Sequence, residues 1–406
     1  MQLVAHGHQD IYLTGNPQIT FFKIVYRRHA NFAVESIELT FNGTPDFGKK
    51  FSCKISRVGD LVHRMYLQVT LPALTQIQNS STWQGYANSI GNVLIKEVNI
   101  EIGGQIIERH YSEWLEMYSE LYLDESKRRD YNSMIGKYDS NISLETNATA
   151  NRVYYIPLRF WFNRNPGLAL PLVALLQHEV KINVEFRSLA EITKADTDIT
   201  APTQSVDSET ASIVDASLFI DYIYLSEEEK VKFGRNTHEY LIERVQRQPD
   251  RALAASTAND RIKLQFQDPI KEIIWGITTD TNLTNNTNTG NNLMNFSSTS
   301  GDETFATARL QMNGQDRFTP RNSDYFRLVQ PYEHNTGSRR KHIYSYSFAL
   351  KPEEHQPTGA ANFSKVDAAD MFLTFTQADV VASQLKIYAV SYNVLRVMRG
   401  TAGLAF

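Results

Sequence analysis

A unit made of a strand, a tight turn and a short helix occurs twice in this chain, and 210 residues separate Gly104 of the first copy from Gly314 of the second. Apolar and polar residues alternate over 97–102 and again over 307–313, directly before each glycine. A third element follows in both copies, with alternating runs around Val184 and around Leu373. The similarity is weak within each element, but its order over three elements favours a duplicated module.

Period-two alternation over short segments predicts antiparallel strands with one buried face. In the first half it covers residues 97–102, 181–187 and 218–224. In the second half we expect strands near residues 239–246, 261–266, 271–277, 307–313, 342–350, 371–376 and 384–397.

Helices are scarce, and the clearest begins near Tyr111. Its apolar positions recur at helical spacing, and Glu113, Glu116 and Glu120 take the opposite, polar face. Its counterpart in the second half opens at residues 323–326, and we expect Pro331 to stop it.

The length of 406 residues favours two cores over one. Two copies of an all-β module with short helices in the loops predict a double jelly roll, that is, two tandem eight-stranded antiparallel jelly rolls. We expect an N-terminal arm at 1–29, a first jelly roll at 30–226 and a second at 227–406. The charged run 226–230 would be the join, although it could also be a solvated turn inside one domain. The Asn- and Thr-rich segment 278–304 is expected to be an exposed loop.

Composition restricts the function. The net charge is −4, which argues against direct nucleic-acid binding, because that needs a surplus of Lys and Arg on one face. Cys53 is the only cysteine, so the chain has no intrachain disulfide, and a buried apolar role is favoured over a nucleophile. No secretory signal is visible at the start of the sequence, and we expect a soluble protein that folds in a reducing cytoplasm.

Nine segments spread along the chain resemble the major capsid proteins of nucleo-cytoplasmic large DNA viruses, with the algal-virus (phycodnavirus) type as the closest likeness. The N-terminal one is GNPQITFFKIVYRRH at residues 15–29. The others are NFAVES (31–36), ISRVGDL (55–61), EIGGQ (101–105), PGLALPL (166–172), HEYLIE (238–243), LQMNGQDRF (310–318), YSFALKP (346–352) and YNVLRVM (392–398).

The resemblance implies a structural protein without enzymatic activity or cofactor. It implies a homotrimer that forms pseudo-hexagonal capsomers, which contact neighbouring capsomers and minor capsid proteins in an icosahedral shell over an internal membrane. The location would be the virion, and the host cytoplasm during assembly. A minor capsid or penton-like paralogue is the alternative within this fold. A jelly-roll metal enzyme or lectin is a more remote one.

The N-terminal arm carries an apolar stripe of Ile19, Phe22 and Val25 beside the cations Lys23, Arg27 and Arg28. One interpretation is a helix that docks partner proteins or faces the anionic inner membrane. The other is a helix packed under its own jelly roll, and the two are compatible.

Candidate sites of other kinds carry little signal. His6, His8 and Asp10 suggest a two-His, one-carboxylate metal site, but they precede every predicted strand, so we expect no metal. Gly103-Gly104 lacks the downstream residues of a phosphate loop and predicts a tight turn. Of the Asn-X-Ser/Thr sequons, we retain as glycosylation candidates Asn147, Asn282, Asn285 and Asn295.

Overall fold

The computed structural model describes residues 7–8, 11, 14–16, 29–74, 84–138, 148–195, 212–255, 257–284, 292–298, 300–337, 341–375 and 381–406. Its strands are β1 (Phe32–Thr40), β2 (Lys50–Lys54), β3 (Leu61–Leu71), β4 (Gln84–Tyr86), β5 (Ile95–Ile102), β6 (Gln105–Tyr111), β7 (Arg152–Pro157), β8 (Leu170–Pro171), β9 (Val180–Phe186), β10 (Thr193–Ala195), β11 (Asp215–Leu225), β12 (His238–Arg247), β13 (Arg251–Leu253), β14 (Asn259–Lys263), β15 (Pro269–Thr279), β16 (Thr307–Met312), β17 (Gln315–Asp316), β18 (Arg321–Asn322), β19 (Tyr344–Ser347), β20 (Ala361–Asn362), β21 (Ala369–Thr374), β22 (Ser383–Met398) and β23 (Thr401–Leu404).

The helices are short and lie between strands. They are α1 (Ile90–Leu94), α2 (Ser112–Tyr122), α3 (Glu125–Ile135), α4 (Trp161–Arg164), α5 (Leu189–Ile192), α6 (Glu227–Arg235), α7 (Asp280–Leu283) and α8 (Gln330–His334), with a π-helix at Tyr325–Val329 and 3₁₀ turns at Pro166–Leu168, Leu172–Ala174 and Phe363–Lys365. Among the described residues no helix is both long enough and apolar enough to span a lipid bilayer.

Each half of the chain builds two sheets that enclose its core. In the first half one sheet has the order β1-β11-β3-β7 and the other β2-β9-β5-β6. In the second half the orders are β12-β22-β15-β19 and β14-β21-β16-β17. Numbered within its own half as strands one to eight, and leaving out the short extra strands, each half has the orders 1-8-3-6 and 2-7-4-5. This pairing is the two-sheet jelly roll, so the predicted double jelly roll is confirmed.

The duplication extends to individual strand pairs. Val98 pairs with Val184 in the first half, and Ala308 pairs with Leu373 in the second. Ile102 and Gln105 close one hairpin, while Met312 and Gln315 close the other. Both residues of each intervening turn, Gly103-Gly104 and Asn313-Gly314, have a positive φ, as the favoured two-residue hairpin turn requires.

Each half has its own apolar core. The inward positions of β5 and β9 are buried with those of β3 and β11, and those of β15, β16, β21 and β22 form the second core. The predicted alternation is therefore present in the structure: Val98, Ile100 and Ile102 are all buried.

Two predictions about the second half were wrong. The helical run at 323–334 continues past Pro331, because a π-turn precedes the proline and leaves it at the start of α8, where its missing N–H costs no hydrogen bond. The segment 278–304 was expected to be an exposed loop; its residues 285–291 and 299 lie outside the described residues, and the described part is partly buried. Thr278 and Thr279 extend β15, and Leu293 and Met294 are buried against the first-half core.

Candidate functional site: the contact between the two halves

Helix α2 comes from the first half and packs on the second. It follows β6 directly, so the strand aims it across the outer face of the sheet that contains β15 and β22. Its apolar side chains and that face form a cluster that we call the α2 cluster: Trp114, Met117, Leu121, Val245, Ile274, Phe296, Ile343, Tyr388 and Val390. The rings of Trp114 and Tyr388 are 5.7 Å apart between centroids. This burial of apolar surface holds the halves together.

Two glycines allow this close approach. A Cβ at Gly276 would lie 2.9 Å from the Met117 methyl group and 2.7 Å from the Phe296 ring. A Cβ at Gly337 would lie 2.2 Å from the carbonyl oxygen of Glu120. The Gly337 N–H donates a 2.8 Å hydrogen bond to the carbonyl of Leu121, so α2 is also fixed at its C-terminal end by the second half.

The polar face of α2 is buried as well as its apolar face. Glu113 accepts from Lys386 Nζ at 2.6 Å and from Arg187 at 3.2 Å. Glu116 accepts from Lys137 Nζ at 2.8 Å and from Lys341 Nζ at 2.7 Å. Each carboxylate therefore joins a cation of its own half to a cation of the other half, and the charges are compensated inside the protein.

The same charges govern the acidity of these carboxyls. Burial by itself raises the pKa of Glu113, but Lys386 and Arg187 outweigh it and hold the pKa well below its ordinary value. Lys341 and Lys137 do the same to the pKa of Glu116. Both side chains are thus ionised at neutral pH, and their charge is used for pairing.

A cavity of about 310 Å³ opens beside the α2 cluster. Glu243 lies in its wall and binds Arg164 at 2.7 Å and Lys271 Nζ at 2.5 Å. Because Arg164 comes from the first half and the other two from the second, this triad is another link between the halves. Glu108 lies 3.5 Å from Arg164 and supplies a second carboxylate for the two cations, so the chemistry here is that of an ion-pair network.

The candidate metal and nucleophile residues are only partly described. His6 and Asp10 lie outside the described residues, and His8 is exposed. Across the described part of the chain, no three His, Cys, Asp or Glu side chains are placed to hold a metal ion. Cys53 is buried in the first core, and burial raises the pKa of its thiol to about 11, so the predicted apolar role fits its surroundings.

The candidate contact and glycosylation residues are only partly described. The arm positions Ile19, Phe22, Lys23, Val25, Arg27 and Arg28, together with Asn147 and Asn285, lie outside the described residues. Asn282 is only 8% exposed, which argues against glycan attachment to the folded chain. Asn295 is half-buried, and its Oδ1 accepts from the backbone N–H and the hydroxyl of Ser297.

Comparison with known proteins identifies the family. Residues 20–226 match the family model described as the major capsid protein N-terminus, and residues 229–403 match that of the large eukaryotic DNA virus major capsid protein. This chain belongs to the major capsid proteins of large eukaryotic DNA viruses. It is therefore a structural protein of the virion, located in the capsid.

Relatives of this capsid protein match over its full length. It is 43% identical to the major capsid protein of Pyramimonas orientalis virus, covering 100% of this chain and 98% of that protein. It is 36% identical to the major capsid protein of Paramecium bursaria Chlorella virus 1, with the same coverage. A quasi-atomic model of the PBCV-1 virus capsid aligns with a TM-score of 0.81 and 33% identity, over 95% of this chain and 100% of that one.

The residues that join the two halves of this capsid protein were missed by sequence reasoning. Lys341 and Lys386 lie more than two hundred residues from the glutamates that they bind, and sequence spacing carries no signal for such pairs. One signal for burial of this face was available in the sequence. Glu113, Glu116 and Glu120 share a helix face with Ser112 and Ser119. A helix flanked by strands in a two-domain chain has few sides that can face solvent.

Proposed function

We propose that three copies of this chain associate into a pseudo-hexagonal capsomer, and that such capsomers tile the icosahedral shell of a large double-stranded DNA virus. The observation that carries the proposal is the identical strand order of the two halves. A closed three-fold of a chain with two similar modules has six similar sectors, and these can pack a hexagonal net.

The proposed units are the arm at 1–29, a jelly roll at 30–226 and a second at 227–406. In support, described pairing before Ser226 joins strands between Phe32 and Leu225, and described pairing after it joins strands between His238 and Leu404. We further propose a purely architectural role without catalysis, since the buried carboxylates and cations between the halves pair with one another.

The experiment is negative-stain microscopy and light scattering of the purified chain. We expect a three-fold particle with a hexagonal outline and the mass of a trimer. A folded monomer at micromolar concentration would contradict the capsomer.

The arm is proposed to act after trimer formation. Its apolar stripe and adjacent cations, Ile19, Phe22, Lys23, Val25, Arg27 and Arg28, suit contact with minor capsid proteins or with an anionic inner membrane. Burying the three apolar side chains would contribute roughly 4–9 kcal/mol before ordering costs. Deletion of residues 1–29 should leave soluble trimers that build no virions. If the deletion leaves only aggregated protein, the arm belongs to the first core and the docking role is withdrawn.

A further inference from the structure

Within the chain, α2 packs on the outer face of a sheet in the second half. The first half has a corresponding sheet face. In the second half α2 covers the outer face of the sheet β12-β22-β15-β19, where Ile274 pairs with Tyr388. In each half the third strand, β3 or β15, contains a β-bulge. The bulge of β3 lies opposite Asp221, and the bulge of β15 lies opposite Val390. When the two bulges are superposed, the pair Tyr66–Phe219 takes the place of Ile274–Tyr388.

The corresponding first-half face carries three aromatic rings among polar side chains, and no such helix covers it among the described residues. Tyr66 and Phe219 stack with centroids 5.0 Å apart, and the ring of Tyr155 lies 6.1 Å from Tyr66. By the register of β7 and β19, Tyr155 corresponds to Ile343, which is another member of the α2 cluster. Tyr155 is 39% exposed, and Val153, two residues before it on the same face of β7, is exposed as well. We call this surface the aromatic face.

The second half has a helix that corresponds to α2. It occupies residues 323–334 and follows the equivalent hairpin. Leu115 of α2 and Phe326 both point into the core of their own half, which sets the alignment. Met117 then corresponds to Leu328, and Tyr332 lies in the turn after the π-helix, where α2 has Leu121.

These corresponding side chains differ sharply in exposure. Met117 and Leu121 are buried against the other half, whereas Leu328, Val329 and Tyr332 are 42%, 41% and 81% exposed. The counterparts of the helix and of the sheet face that pack together within the chain are thus both exposed among the described residues. We call Leu328, Val329 and Tyr332 the open helix.

We infer that the open helix of one copy packs on the aromatic face of a second copy, repeating between chains the contact that α2 makes within the chain. The inference rests on the proposed capsomer and names the surfaces that build it. Each copy supplies one helix and one face, so the contact is head-to-tail, and such contacts generate closed rings when the rotation between copies allows closure. Exposed apolar patches of this kind mark association surfaces.

One position departs from the internal template. Gln68 stands where Gly276 leaves room for Met117, by the same superposition of bulges. The contact between chains is therefore wider at this point than the one within the chain, and the aromatic rings around it carry more of the packing.

The test uses two acidic substitutions in the full chain, Tyr332→Asp on the open helix and Tyr155→Asp on the aromatic face. Each variant alone should need at least a roughly tenfold higher concentration to assemble than the wild type, because truncating a central aromatic contact costs a tenfold factor or more. Val231→Asp is the matched control, because Val231 is 40% exposed but lies on α6, outside both surfaces. It should assemble as the wild type does.

Mixing the two variants gives the sharper result. The Tyr332→Asp chain keeps its aromatic face, and the Tyr155→Asp chain keeps its helix, so one contact can form and the assembly stops at a one-to-one dimer. If the wild type is a trimer and both variants remain trimers, the inference is overturned while the capsomer stands. If the wild type is a monomer, both the proposed capsomer and this contact are contradicted.

A disulfide cross-link tests the same contact without relying on a substitution that disrupts its packing. The double variant Tyr332→Cys/Tyr155→Cys should form disulfides between chains on mild oxidation and run as covalent oligomers up to a trimer, while each single-cysteine variant should run as a monomer. Cys53 is buried and does not compete. A trimer in solution without these cross-links would overturn the inference.

Discussion

The ammonium group of Lys386 lies 2.6 Å from Oε1 of Glu113, and both side chains are almost completely buried between the two jelly rolls. Lys386 is on β22 of the second half, and Glu113 is in the first turn of α2. Arg187 shares the same oxygen at 3.2 Å. A buried charge that loses its partner is strongly destabilising. Replacing one residue of this pair therefore measures how much it contributes to the attachment of the two halves.

Glu113→Gln should destabilise the protein by about 3–5 kcal/mol, since it leaves both Lys386 and Arg187 without their carboxylate. Lys386→Met should cost less, because Arg187 still pairs with Glu113. The midpoints of thermal and urea unfolding measure both. Glu179→Gln is the control: Glu179 pairs with Lys54 at the surface, where such pairs contribute at most about 1 kcal/mol. Equal midpoints for Glu113→Gln and Glu179→Gln would contradict the buried network.

Glu272 gives the chain a pH dependence. Burial raises its pKa to about 7, although Lys271 nearby and the hydroxyl of Tyr122, which donates to its Oε2, act in the opposite direction. Glu353 adds to the increase. Between its ordinary value of 4.5 and about 7, the folded state holds a proton that the unfolded state has released.

The stabilisation from Glu272 is therefore complete below pH 4.5 and is lost as the pH rises through about 7. Its size is on the order of 3 kcal/mol. Glu272→Gln should remove this part of the decline in melting temperature between pH 5 and pH 8, while the exposed Glu239→Gln should leave the wild-type profile in place. Superimposable profiles for Glu272→Gln and the wild type would count against a neutral Glu272.

Gly337→Ala should loosen α2 from the second half. The new methyl group would lie 2.2 Å from the carbonyl oxygen of Glu120 and 2.6 Å from the backbone of Leu121, so the two segments must move apart. We expect a loss of about 1–3 kcal/mol, as for other overpacked sites. Gly234→Ala is the matched control, because its nearest neighbour is at an ordinary 3.8 Å and the position is helical, where alanine is favoured. Calorimetry that gave both variants the same transition would contradict this close contact.

Cys53 should be unreactive in the folded protein. Burial raises the pKa of its thiol to about 11 from 9.0, which by itself reduces the thiolate fraction roughly a hundredfold. A chromogenic disulfide reagent should therefore modify the native protein far more slowly than a Val231→Cys variant, whose thiol lies at a 40% exposed position outside both proposed contact surfaces, and should reach one thiol per chain of the wild type after unfolding in urea. Rapid modification of the native wild type would place Cys53 at the surface.

The amino-acid sequence by itself determined the class of fold, its duplication and the family. Period-two alternation around Val98 and Val184 specifies strands with one buried face, because successive side chains of a strand point to opposite sides. The same pattern around Ala308 and Leu373 repeats the module. These are local properties, and the strands that they predict appear in the structure, paired in the same way in both halves.

Tertiary structure decided which side chains the modules bury against each other. Glu113 and Glu116 look like the solvated face of an amphipathic helix, and they are buried because Lys386 and Lys341 arrive from the other half. Phe296 and Met294 lie in a polar segment, yet the fold inserts them between the halves. Helix periodicity and composition describe a segment relative to water, whereas burial at an interface depends on which distant surface lies opposite, and only the folded chain brings the two together.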